Sequence, residues 1–180
     1  MILLPLLASA TGCAAADPAV APRADTAPSA AGATPSAPAE RPRLCGAPPP
    51  AEADEFRFNR DAARRDPLVG VTPAGYTGGI ASFDDLDVGE LAELLELRFV
   101  DPYDRQNAAP TVWEIFRFLC AHPDVRAAGY VVSLDREDYR TSIESIYAGR
   151  IDAALSADAT AFCATAEAIT VENHLECFWD

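Results

Sequence analysis

The stretch Ala128-Gly129-Tyr130-Val131-Val132-Ser133-Leu134, continued by Asp135-Arg136-Glu137-Asp138-Tyr139-Arg140-Thr141-Ser142-Ile143-Glu144-Ser145-Ile146-Tyr147, decides the fold class. Its first part is an uncharged run of aromatic and β-branched residues, which reads as a buried strand over 128–134. In its second part Asp135 stands where a helix N-cap belongs, and Tyr139, Ile143, Ile146 and Tyr147 recur at helical spacing. Gly149 then suits the left-handed position that follows a helix end. The expectation is a strand leading into a helix that runs through Tyr147.

Working upstream, Thr111-Val112-Trp113-Glu114 has full capping-box spacing. Val112, Ile115, Phe116, Leu119 and Cys120 follow at the spacing of one helix face, and His122-Pro123 closes the element. Leu91, Leu94 and Leu95, set against Glu90, Glu93 and Glu96, predict a helix over 88–99 that Asp101-Pro102 ends. Ser82-Phe83-Asp84-Asp85 lies before it at capping-box spacing, with Asp in place of Glu. Ala53 to Arg65 reads as a short helix stopped by Pro67, and the glycines and proline of 68–80 read as a loop or irregular hairpin. Downstream, 151–155 and 158–166 read as short helices. The alternation of 169–179 predicts one final strand, with Val171, Leu175, Cys177 and Trp179 on one face and Thr170, Glu172, His174 and Glu176 on the other. The sum is an α+β domain, small and helix-rich, with few strands (about 128–134 and 169–179).

The chain carries five cysteines, Cys13, Cys45, Cys120, Cys163 and Cys177, in 180 residues. Cys13 is preceded by a short apolar run, Met1 to Ala10, too short for a bilayer span of about 20 residues but of the length of a signal-peptide core. Ala10-Thr11-Gly12-Cys13 resembles the bacterial lipobox, in which small residues precede a lipidated cysteine. The resemblance covers the first thirteen residues and implies a signal peptide over 1–12, lipidation at Cys13 and display on the outside of a cytoplasmic membrane. The competing reading is an ordinary secretory signal cut after Ala10 or Ala16. If Cys13 carries lipid, Cys45, Cys120, Cys163 and Cys177 form an even set suited to two disulfides in an oxidising compartment. Four cysteines allow three connectivities. Cys163–Cys177 and Cys45–Cys120 are the preferred pairs, because they staple the chain's last helix to its last strand and anchor the domain's start. Ala14 is not the Asp that resembles an inner-membrane retention signal, so the outer membrane is the expected destination in a Gram-negative envelope.

Between Ala14 and Pro50 nine residues are Pro and most others are Ala, Ser or Thr. Such a composition has no apolar periodicity from which to build a core, and reads as a disordered tether over 13–50 ahead of a single globular domain over 51–180. From Leu44 onward there are 25 Asp/Glu against 11 Arg, so the domain carries the whole net charge of −14. That charge repels phosphate backbones and anionic headgroups, which excludes nucleic acid and unaided membrane adsorption as expected partners. It suits solubility, or binding to a basic partner or a divalent cation; the expected partners are the membrane, through the lipid anchor, and an envelope protein.

Candidate chemistry is sparse. Glu172, His174 and Glu176, at alternate positions of the final strand, would present two carboxylates and an imidazole to a divalent cation; a solvated acidic face predicts the same residues. Asp84-Asp85-Asp87, Asp101/Asp104 and Glu137-Asp138 are carboxylate groups of the kind used in glycoside hydrolysis. His122 stands at a helix C-terminus, where the dipole favours an imidazolium. No Ser lies in a nucleophile elbow, and Gly75-Tyr76-Thr77-Gly78-Gly79 lacks the Lys-Ser/Thr of a phosphate loop, so no catalytic residue is assigned and no cofactor is expected. Two function classes remain: a non-catalytic binding or accessory module on a membrane surface, and an envelope hydrolase using carboxylates or a divalent-metal site near His174.

Overall fold

The computed structural model describes residues 41–179. The expected signal peptide over 1–12, the expected lipidation at Cys13 and the expected tether as far as residue 40 lie outside the described residues. Residues 41–50, read from the sequence as the end of the tether, belong to the fold. Arg43–Gly46 forms a single 3-10 turn with Cys45 buried beneath it.

From there the order is α1 (Ala62–Leu68), a 3-10 turn at Pro73–Gly75, β1 (Ile80–Leu86), α2 (Val88–Glu96), α3 (Val112–Ala121), β2 (Arg126–Val132) and β3 (Thr141–Ala148). It ends with α4 (Ala153–Phe162), β4 (Ala168–Val171) and β5 (Leu175–Phe178). The five strands form one antiparallel sheet in the order β1-β2-β3-β5-β4. The class is α+β as the sequence reads, but the sheet rather than the helices organises it. Register defines the buried face. The row Ala127, Ile146, Cys177 and the row Phe83, Gly129, Ile143 run across neighbouring strands. They pack with Leu91 and Leu94 of α2, with Ile115, Phe116 and Leu119 of α3 and with Leu155 and Ala159 of α4 in one hydrophobic core.

The expected helix over 135–147 is a turn as far as Arg140 followed by strand β3, and the reason is a bulge. Gly129 pairs with Ile143 while Ala128 pairs with Ser145, so Glu144 is an extra residue that breaks the two-residue alternation. Ile143 and Ile146 are three apart and both buried, which imitates helical spacing inside a strand. Gly129 is what lets the bulge close. A Cβ there would lie 2.0 Å from the Ser142 carbonyl oxygen.

Other boundaries move for local reasons. The single strand expected over 169–179 is a hairpin, because Glu172-Asn173-His174 turns the chain between Val171 and its partner Leu175. Ser82 to Asp85 lies in β1 and caps nothing. The capping box of α2 is Asp87 with Glu90, each side chain bonding the other's backbone N–H at 2.9 Å. Residues 54–61 are not helical. α1 starts only where Asp61 accepts from the Arg64 N–H, and Pro67 sits within its last turn instead of ending it. The two short helices expected after Ile151 are one, α4, capped by Asp152. α3 matches its expected start: Thr111 and Glu114 form the capping box that the sequence spells.

Candidate functional site

Two disulfides tie helices α3 and α4 to other parts of the fold. Cys45–Cys120 ties the entering chain to α3, and Cys163–Cys177 ties the end of α4 to β5. These are the preferred pairs among the three connectivities. Between the two stapled helices lies a groove of about 820 Å³. α3 lines one wall with Glu114, Arg117, Phe118, Ala121 and the following His122. α4 lines the other with Asp158, Ala161 and Phe162, and Ala108 to Pro110 close one end. Its floor is the Phe118–Phe162 pair, stacked with ring centroids 4.3 Å apart, and Phe162 meets Trp179 edge-on.

The groove's polar groups bond within the protein. His122 Nε2 lies 3.1 Å from Asp158 Oδ2. Glu114 accepts from the Thr111 N–H and hydroxyl at 2.7 and 2.8 Å, and these bonds hold its carboxyl below the ordinary glutamate range. Arg117 donates to the Cys45 carbonyl. Thr165 donates to the Ala108 carbonyl at 2.7 Å and accepts from the Trp179 indole at 3.3 Å. What the groove offers a ligand is therefore mainly apolar surface. The sequence carries one signal for it: Phe118 is an aromatic residue off the inward stripe of α3, so that helix has a second buried face.

Two other polar clusters are built into the sheet end. Arg65 is fully buried. Its guanidinium donates to Asp66 at 2.9 Å, to the Tyr76 hydroxyl at 2.7 Å and to the Val132 carbonyl at 3.0 Å, and it lies 4.6 Å from the Tyr139 ring centre. Burial, together with the hydrogen bond to Asp66, pushes the Tyr76 phenol up to about 12. This is a cross-brace from α1 to the β2–β3 turn. The second cluster joins Asp104, Ser142, Arg140, Tyr130 and Gln106. Ser142 donates to Asp104 at 3.4 Å, and Arg140 donates to Ser142 at 3.2 Å and to the Tyr130 hydroxyl at 2.7 Å. Burial, and next the nearby Asp101 charge among the raising causes, lifts the Asp104 carboxyl above the usual range. The cluster pins the α2–α3 loop to the sheet.

The sequence-derived candidates are dispersed. His174 and Glu176 flank a depression of about 450 Å³ beside Tyr147, and Glu172 is not part of its lining. The His174 ring bonds its neighbour Asn173 at 3.0 Å. Among the described residues no group of three or more His, Cys, Asp or Glu side chains is placed to hold a metal ion. Of the carboxylate groups, Asp85 pairs with Arg126 at 3.2 Å and Asp87 caps α2. Asp138 pairs with Arg136, whose guanidinium holds the carboxyl down to about 2, and with Arg140. Among the described residues no helix is long and apolar enough to cross a membrane. Comparisons with models of known protein families, with curated proteins and with solved structures found no match to this chain.

Proposed function

We propose that the chain is a lipid-anchored protein of the bacterial cell envelope whose folded part is a non-catalytic binding module for a basic protein partner, received in the groove between α3 and α4. The observation that carries this reading is the groove itself, an apolar floor whose surrounding polar groups bond within the protein. A partner gains by removing from water the apolar surface that the groove still exposes, that of Phe162, Ala108, Ala121 and Ala161, at roughly 25 cal/mol per Å² buried. The net charge of −14 selects a basic partner and speeds its approach. The address is supported by the lipobox resemblance at Cys13 and by two disulfides, which persist in oxidising compartments. The Ala/Pro-rich stretch from Ala14 serves as a tether reaching up to about 3.1 Å per extended residue.

Photo-cross-linking in the full chain, expressed in its native envelope, tests the groove. A benzophenone side chain at the exposed Ala161 is expected to yield one discrete adduct with a basic polypeptide, absent when it stands at Glu137. Ala121→Arg, which fills the groove from α3, should abolish the adduct. An adduct that survives Ala121→Arg, or equal labelling from both positions, overturns the proposal.

A further inference from the structure

The two edges of the sheet are built differently. β1, at one edge, is guarded. Asp84 and Asp85 are exposed charges within the strand, Asp85 has a positive φ of 62°, and the register breaks between Phe83 and Leu86. Charges and bulges of this kind keep an edge from pairing with another chain. β4, at the other edge, has none of them. Ala168-Ile169-Thr170-Val171 is uncharged, contains no Pro and pairs in unbroken register with β5. On its other side β4 has no strand among the described residues.

Ile169 shows what such a strand would cover. It pairs with the fully buried Cys177 and so lies on the core face of the sheet, yet it is 49% exposed, the most exposed large hydrophobic residue described. An added strand would extend that face over it and satisfy the edge's outward backbone groups. The acids around the edge select the occupant. Glu167 and Glu172 are exposed at the two ends of β4. A second copy is disfavoured, because antiparallel pairing about the centre of β4 sets Glu167 of one chain against Glu172 of the other.

We propose that the β4 edge is a strand-addition site for an extended segment of a basic protein, β-branched at its centre with a Lys or Arg opposite each of Glu167 and Glu172. This site is independent of what the α3–α4 groove binds. The test is amide hydrogen exchange of the full chain with the peptide acetyl-Gly-Lys-Val-Thr-Val-Thr-Lys-Gly-amide, and with its counterpart carrying Glu in place of both Lys. The Lys peptide should protect Ala168 to Val171 and bind roughly tenfold more tightly than the Glu peptide. Glu167→Lys with Glu172→Lys should reverse that preference. If this variant binds neither peptide, Glu167→Gln with Glu172→Gln decides: equal response to both peptides supports the site, and an unaltered preference for Lys overturns it. Failure of the Lys peptide to protect β4, equal protection of the unsubstituted chain by both peptides, or protection that grows with protein concentration alone also overturns it.

Discussion

Glu114 shows how much a single side chain does here. It accepts two hydrogen bonds from Thr111 at the start of α3, and those bonds favour its charged form. A carboxyl whose folded pKa is depressed stabilises the fold above its unfolded pKa and loses that contribution as pH falls through the folded value. Glu114→Gln keeps an oxygen for the Thr111 N–H but loses the charge near the helix N-terminus, and is therefore expected to cost about 0.5 kcal/mol near neutral pH. The difference from the parent should shrink in acid, read by urea denaturation at both conditions. Asp104 has the opposite sign. Burial raises its pKa, so its contribution is present below the ordinary aspartate range and is lost as pH rises through the folded value. Asp104→Asn should raise the melting temperature near neutral pH and leave it unchanged or lower in strong acid. A neutral-pH loss would mean that the charge on Asp104 is needed by Ser142 and Arg140.

The same bulge that misdirects the reading of β3 governs its stability. Gly129→Ala drives a Cβ toward the Ser142 carbonyl oxygen, part of a residue paired with Tyr130 in the β2–β3 ladder. The expected cost is about 3 kcal/mol, that of severe overpacking, measured as a drop in the urea midpoint at unchanged slope. α3 was legible because its capping box, apolar stripe and terminating proline agree with one another. β3 was not, because the extra Glu144 spaces Ile143 and Ile146 as a helix would. The final hairpin was legible as strand but not as two strands, since alternation continues through the turn: Val171 and Leu175 face each other, and Cys177 keeps the phase. The groove was the least legible feature. Phe118 and Phe162 are 44 positions apart in the chain and meet only through the packing of α3 against α4. Disulfide removal tests the elements that they hold. Loop-closure entropy assigns about 3 kcal/mol to Cys163–Cys177, which closes 14 residues, and about 4.5 kcal/mol to Cys45–Cys120, which closes 75. Replacing each pair by Ala should lower stability in that order.

At the scale of the whole chain, cysteine parity links fold to address. All four cysteines among the described residues are bonded in pairs, and the chain's remaining one is Cys13, at the end of its apolar N-terminal run. A protein that keeps two disulfides through its life experiences an oxidising compartment, where an unpaired thiol invites mispairing. On the proposed reading, lipidation at Cys13 would remove that hazard and supply the anchor, and the acidic domain, repelled by anionic headgroups, would stand off the membrane on its tether. Intact mass of the protein extracted from membranes, before and after reduction with thiol alkylation, tests these statements together. The expected result is a chain beginning at Cys13 with a diacylglyceryl or triacyl mass, and four further thiols that alkylate only after reduction. A chain cut after Ala10 or Ala16 without lipid would keep the disulfides and lose the anchor. An unmodified chain with five alkylatable thiols would place the protein in a reducing compartment, and the envelope reading would fall with both disulfides.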